Sequence, residues 1–353
     1  MASQELTELR ASIDSILDEF TKARSRALTD IGSELQPVAS AMSDFITDGG
    51  KRFRPIFAFL GYLGTGASPR HEVLRACTAL ELVHVCALIH DDVMDGSDTR
   101  RNKPAIHKLF QSLHDDQSYK GDSERFGLAS AILLGDLALV WADRLLVESG
   151  ISREEFISAQ DVFSNMRDEL MAGQYLDVLE GALATTSVER SLKVARFKSG
   201  KYSIERPLHF GAALAGKPEF NDAYSRFGLP LGEAFQLRDD VLGVFGNPKV
   251  TGKPAGDDIR EGKRTVLIAV TMENADQSQR KTMTEALGNS LLGESDVAQV
   301  QEIIIKTGAL DEVEKLITTL TQESISALRQ SPIDEKICTV LEEMSVIATQ
   351  RSV

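Results

Sequence analysis

Apolar residues recur at three-to-four spacing through nearly every long segment of this chain, with little of the alternation that a half-buried strand requires. That period commits the sequence to helices. The spacing predicts them at about 5–29, 34–47, 53–64, 70–95, 103–111, 125–148, 153–180, 187–198, 201–215, 219–246, 263–272, 276–289, 294–307, 309–330 and 333–350. Punctuation is local, as in "TDGGKRFRP", "GTGASP", "DGSDTRRNKP" and "GNPKVTGKPAGDD". No low-complexity linker separates the segments, so one all-α domain over 1–353 is expected. Its N-terminal helices would be 1–48, its motif-bearing core 49–264 and its C-terminal helices 265–353. The polar stretch 112–124, with Asp115 and Asp116, reads as a solvated loop.

Charge and cysteine usage exclude some functions. The formal net charge is −14, which argues against a nucleic-acid backbone as partner. A local basic cluster can still bind an anionic substrate. Cys77, Cys86 and Cys338 are odd in number and lack metal-ligand spacing, which fits a reduced cytoplasmic chain. No run approaches the ~18 uninterrupted apolar residues of a membrane span. The N-terminal helix carries Leu6, Leu9, Ile13, Ile16, Leu17 and Phe20 on one face, expected to pack on the body.

The chemistry concentrates where an apolar helical run meets carboxylates, in "CALIHDDVMDGSDTRR" (86–101). Positions i and i+4 share a helix face, so Asp91 and Asp95 project together, flanked by Asp92. Like charges at that spacing repel, and a bound cation relieves them. All-oxygen ligands favour a hard ion, Mg²⁺ before Ca²⁺. A second apolar run ends in Asp239 and Asp240, within "LRDDVLG" (237–243), but its i+4 position is Gly243.

Basic residues accompany both acidic helices: Lys51, Arg52 and Arg54 after Gly49-Gly50, Arg100 and Arg101 after the first motif, and Lys198, Lys253 and Lys263 around the second. Salt bridges would account for Arg52 or Arg260. For the whole set, a diphosphate substrate, and a second one, is the better account. His84 lies two helical turns before Asp91 on the same face, where a satisfied core histidine and a ligand are both compatible with the spacing. His90 and His107 read as core. No Ser-His-Asp or Cys-His set is evident.

"GGKRFRP", "LVHVCALIHDDVMDGSDTRR", "FQLRDDVLG" and "GKPAGDDIREGKRT" together resemble the trans-isoprenyl diphosphate synthases, the polyprenyl synthetase family, and the pattern is most similar to its actinobacterial geranylgeranyl diphosphate synthases. The resemblance implies an all-helical bundle around a deep central cavity, a homodimer, and Mg²⁺ bridging acidic helices to an allylic diphosphate. On this chain it makes Asp91, Asp95 and Asp239 metal ligands, with Asp92 and Asp240 in support. It assigns Arg100, Lys198, Lys253 and Lys263 to the allylic diphosphate, and Lys51, Arg54, His84 and Arg101 to isopentenyl diphosphate. Gln236 and Ser199 would offer oxygen dipoles to an allylic cation. Asp257, Asp258 and Lys263 would belong to a segment that closes over the diphosphates.

The family's usual Arg-Arg-Gly-x-Pro-Thr-x-His is here "RRNKPAIH", which is expected to stiffen the loop after Arg101. Ser199 replaces a common Thr, and the last Asp of the second motif is missing. Chain length is expected to follow from Cys86 and Ala87, five and four residues before Asp91, about 6–7.5 Å along the helix. Farnesyl-specific relatives often place aromatic rings there. Small residues imply a longer product, geranylgeranyl diphosphate, with farnesyl or longer products and a non-catalytic subunit as alternatives.

Overall fold

Helices occupy most of the described residues of the computed structural model, which are 2–184, 186–247 and 255–350. In order they are α1 (Ala2–Thr29), α2 (Gln36–Thr47), α3 (Phe53–Leu63), α4 (His71–Asp95), α5 (Ile106–Asp116), α6 (Ser123–Val147), α7 (Arg153–Leu183) and α8 (Val188–Val194). A π-helical stretch, π1 (Ala195–Glu205), leads into α9 (Arg206–Leu214). Then come α10 (Asn221–Phe245), α11 (Asp257–Arg260), α12 (Val266–Asn274), α13 (Gln277–Ala286), α14 (Glu294–Lys306), α15 (Ala309–Arg329) and α16 (Glu335–Thr349). Side-chain caps define several starts: Asp122 accepts from the Arg125 N–H, Thr265 from Ile268, and Asp276 forms a capping box with Gln279.

The chain divides into two compact units, Met1–Val162 with Pro207–Pro218, and Phe163–Arg206 with Glu219–Val353. In the first unit α4 packs most extensively on α6, and α5 also packs on α6. Glycines set these approaches: a Cβ on Gly127 of α6 would lie 2.2 Å from the His107 carbonyl oxygen of α5. Likewise Gly61 of α3 meets the Leu208 backbone, and Gly211 of α9 meets Ala58, so α3 and α9 pack main chain against main chain. Ile13, Ile16, Leu17 and Phe20 of α1 are buried in this unit, as their spacing predicts. In the second unit α10 is the central helix, against α15 and π1. Leu237, Val241 and Val244 join Ile259, Leu267, Ile304 and Val313 in its core.

Three boundaries differ from expectation. A two-residue hairpin, β1 (Thr99–Arg100) with β2 (Lys103–Pro104), delays the start of α5 to Ile106. The helix then runs to Asp116, so Asp115 and Asp116 end a helix rather than sit in a loop. Buried His114 gives the reason: its ring packs 5.4 Å from Phe126 and 5.8 Å from Tyr119, holding the segment against α6. Finally, the expected break between 198 and 201 is absent, because π1 carries α8 into α9 without interruption. Two helices, His71–Asp95 and Ser123–Val147, are long and apolar enough by composition to cross a membrane; 72% of the first one's apolar window is buried, and 39% of the second's.

Candidate active site

In the first unit the largely buried run Leu80–Ile89 carries α4 to its acidic end, where Gly96, at φ 68°, stops the helix. Asp92 is buried, and Asp91 and Asp95 are half-buried. The β1–β2 hairpin then turns the chain back. Its two turn residues, Arg101 (φ 52°) and Asn102 (φ 61°), both lie in the left-handed region. Two such residues make the tight turn that suits a hairpin, and asparagine tolerates the position where the family commonly has glycine. The turn returns Arg100 to the acidic helix, where Nε donates to Asp92 Oδ1 at 2.9 Å and Nη2 also bonds Asp92. Arg100 Nη2 lies 3.7 Å from Asp91 Oδ2.

Arg101 points toward the end of α2, where Nη1 donates to the Phe45 carbonyl at 3.4 Å. Gly49 (φ 76°) and Gly50 (φ 127°) shape that corner, and a Cβ at Gly50 would come 3.5 Å from Arg101 Nη2. Arg54 is buried, whereas Lys51 is exposed with its ammonium 5.8 Å from the Phe53 ring centre. Half-buried His84 reports the resulting field. Burial first, then the guanidinium groups of Arg54, Arg101, Arg100 and Arg52, push its imidazole well below the usual range. It is therefore a neutral ring among cations, in a setting that favours an anion. Arg52 is not available for such an anion. It is buried, bonding Glu81 at 2.8 Å, Asp14 at 2.8 Å and the Ile46 carbonyl, so the salt-bridge expectation holds for it.

The second unit gathers carboxylates on α10 and α11. Gln236, one turn before Asp240, donates from Nε2 to Asp240 Oδ1 at 2.7 Å. Asp240 is buried, and burial, then Asp258 and Asp239, pushes its carboxyl up to about 8, against the pull of Gln236 and Lys263. Gly243 explains how Asp258 comes so close: a Cβ there would lie 1.9 Å from Asp258 Oδ2. The carboxylate that the second motif lacks at 243 is thus replaced in space by Asp258, from another helix. Lys263 Nζ sits 2.7 Å from Glu261 Oε2 and 3.5 Å from Asp258 Oδ1. Arg260, expected in a salt bridge, instead donates to the carbonyls of Ala255 and Leu292, tying its loop down through the backbone.

Lys198 and Ser199 ride on π1. Backbones meet there because glycines allow it: a Cβ on Gly173 of α7 would fall 2.3 Å from the Lys198 nitrogen, and one on Gly232 of α10 2.6 Å from the Gly200 oxygen. π-helical turns are rare and cluster at functional sites. Lys198 Nζ bonds Asp177 Oδ2 at 2.6 Å. Asp177 and Gly173 escaped the sequence reading, since their partners are more than twenty residues away and no local pattern marks them. Lys253 lies outside the described residues.

Cys86 and Ala87, paired by position, part in space. Cys86 Sγ is 3.7 Å from His90 Nδ1 on the side of α4 facing α6, whereas Ala87 shares the face of Asp91. A Cys-His contact therefore exists after all. Burial, then Asp136, pushes the thiol up to about 12, and Cys86 is 1% exposed, so it is no nucleophile.

The donor set suits magnesium. Asp240 is buried beside two further carboxylates, which is the strain that a hard divalent ion relieves. Such an ion takes one or two protein carboxylates and fills its remaining positions with water and phosphate oxygens. Among the described residues no three His, Cys, Asp or Glu groups are arranged to hold a metal ion by themselves.

Known proteins share both sequence and architecture with this chain. The Polyprenyl synthetase family model matches residues 36–304. A geranylgeranyl diphosphate synthase of Sulfolobus acidocaldarius is 31% identical over 325 residues, covering 90% of this chain and 92% of that protein. A geranylfarnesyl diphosphate synthase of Aeropyrum pernix is 32% identical over 301 residues, 84% of this chain and 88% of its own length. The crystal structure of a geranylgeranyl pyrophosphate synthase from Corynebacterium glutamicum, complexed with isoprenyl diphosphate and magnesium, superposes with a TM-score of 0.95 at 39% identity, covering 98% of this chain and 99% of that one. Aspartate-ended helices, guanidinium groups around a neutral histidine and a match over most of the chain agree, and the chain belongs to the polyprenyl synthetase family.

Proposed function

We propose that the protein is a magnesium-dependent trans-prenyltransferase that condenses isopentenyl diphosphate with allylic diphosphates, head to tail, with geranylgeranyl diphosphate as main product. The guanidinium groups of Arg54, Arg101 and Arg100 near the neutral His84, in the helix that ends in Asp91, Asp92 and Asp95, carry this reading. A chain of net charge −14 concentrates cations in this way to hold a polyanion.

In that reading Lys51, Arg54, His84 and Arg101 take isopentenyl diphosphate. Arg100, Lys198, Lys253 and Lys263 take the allylic diphosphate, so Arg100 and Lys198 exchange their Asp92 and Asp177 partners for phosphate oxygens. Asp91, Asp92, Asp95, Asp239 and Asp240 hold Mg²⁺, which when bound supplies Lewis-acid stabilisation of the departing diphosphate. The bond from C1 to oxygen breaks, the isopentenyl double bond attacks C1, and a proton leaves to the released diphosphate. The Gln236 amide oxygen and the Ser199 hydroxyl oxygen turn toward the developing cation. Closure by the segment bearing Asp257, Asp258 and Lys263 excludes water, which would otherwise trap the cation as an alcohol. His84 stays neutral, so it donates a hydrogen bond to phosphate and makes no demand on pH.

The family match spans residues of both compact units, which supports their working as one polyprenyl synthetase domain over 1–353. Self-association as a homodimer is supported by α6, where Leu133, Val140 and Val147 are all at least 60% exposed. Cytoplasmic placement completes the reading.

The test incubates purified protein with Mg²⁺, labelled isopentenyl diphosphate and each allylic diphosphate in turn, followed by chromatography of the dephosphorylated products. Incorporation into a C20 alcohol is expected. No incorporation with any allylic substrate overturns the reading in favour of a non-catalytic subunit, and a cyclic hydrocarbon overturns it in favour of a cyclase.

A further inference from the structure

His90 immediately precedes the first metal-motif aspartate, yet its ring turns away from that face and lies on α6. Its Nε2 is 3.1 Å from the Ile132 carbonyl oxygen. A carbonyl only accepts, so Nε2 carries the hydrogen and Nδ1 is left with a lone pair. Cys86 Sγ, one turn back on α4, lies 3.7 Å from that Nδ1, and its thiol, protonated in its buried setting, is the donor. The exposed Asp136 carboxylate stands 3.8 Å from Nε2.

The ring reaches the α6 main chain only because residue 135 is glycine. A Cβ there would fall 2.1 Å from His90 Nε2, 2.3 Å from Cδ2 and 2.9 Å from Cε1. Glycine weakens a helix interior, so a buried one at mid-helix, in contact with one imidazole, marks a close approach that the fold maintains.

We propose that His90 is a positioning residue: its bond to the α6 backbone, in the space left by Gly135, fixes the rotation of the last turn of α4 and thereby aims Asp91 and Asp95. On a helix, neighbouring residues point about a hundred degrees apart, so a latch on the α6 side sets the azimuth of the carboxylates beside it. Cys86 fixes the tautomer that makes the latch. For turnover the proposal rests on the prenyltransferase reading, whereas for helix geometry it stands alone.

Two measurements therefore test it. The first is hydrogen exchange of the amides of residues 91–96 in substrate-free protein, and the second is the Mg²⁺ concentration for half-maximal turnover. His90→Ala should speed exchange and raise the Mg²⁺ requirement, each about tenfold, the scale of losing a bond that orients a ligand. His90→Gln, whose amide N–H reaches the place of Nε2, should stay within about threefold of the parent. Gly135→Ala should resemble His90→Ala, and adding it to His90→Ala should change nothing more, because the ring it would strike has gone.

Unchanged exchange in a folded His90→Ala protein overturns the proposal, as does additivity of the two alanine substitutions. If His90→Ala fails to fold, His90→Gln and Gly135→Ala decide the matter: parent-like exchange in the first with fast exchange in the second supports the latch, and any other pair of results defeats it. A parent protein without prenyltransferase activity would remove the assigned function, and the exchange measurements would still rule on the latch.

Discussion

In Gly243→Ala the new Cβ would lie 1.9 Å from Asp258 Oδ2 and 2.4 Å from its Cγ. Carbon atoms settle about 3.5–4.0 Å apart, so the carboxylate must retreat by roughly 1.5 Å. The fold should survive. Overpacking costs about 1–3 kcal/mol, and alanine in place of a helical glycine recovers about 1 kcal/mol. The net of about 0–2 kcal/mol lowers the melting temperature by no more than about 3 °C. Turnover should fall further, about 10- to 100-fold, because the displaced carboxylate is one of three beside the proposed second metal site.

A second readout is independent of turnover. Asp240 is raised to about 8 by burial, then by Asp258 and Asp239, so the native protein keeps a proton that the unfolded chain has already released. The stability this proton confers is complete below the ordinary carboxylate range and disappears as pH rises through about 8. With Asp258 withdrawn the native value drops, so melting curves between about pH 4 and pH 9 should decline less in the variant than in the parent. Gly243→Asp, which restores the family's motif on paper, should be less active than Gly243→Ala because it adds bulk and charge. Parent-like turnover with a parent-like pH profile in Gly243→Ala would refute the account of Asp258.

Ala87→Phe, on the face of Asp91, should shift products from C20 toward C15 on chromatography; an unchanged product would show that the chain does not run along this face. Cys86→Phe, facing α6, should lower the melting temperature more than it changes product length, and a C15 product without destabilisation would reverse that assignment. Glu81→Gln removes the charge partner of the buried Arg52 and should cost about 3–5 kcal/mol, read as a melting temperature at least about 4 °C lower; a smaller loss would mean that Asp14 and the Ile46 carbonyl suffice. Leu133→Asp on the outward face of α6 should yield monomers in sedimentation velocity, and an unchanged mass would place any dimer contact elsewhere.

Helical character, the two aspartate motifs and their basic companions could be read from the chain because each is a local pattern: a period, an i,i+4 pair, a glycine before Lys-Arg. Arg52 and the core face of α1 also followed, since burial and periodicity go together there. The pairings that close the sequence over distance did not. Nothing near Gly243 says that Asp258 will occupy its missing side chain, and nothing near Lys198 points to Asp177. His90 reads as core and is only half-buried, whereas His107 is buried; only the placement of Gly135 shows what the His90 ring grips. Spacing predicts a break between 198 and 201, where the fold instead runs a π helix whose Gly200 backbone packs against Gly232.

That stretch has a consequence for how the family can vary. A π turn accommodates one residue more than an α turn over the same rise, so π1 is the place where this chain can lose a residue and remain helical. Deleting one there would turn a π turn into an α turn, re-aiming the side chains within it while the flanking helix keeps its register. Length differences among relatives in this segment would thus change the direction in which Lys198 and Ser199 point while leaving the helix whole.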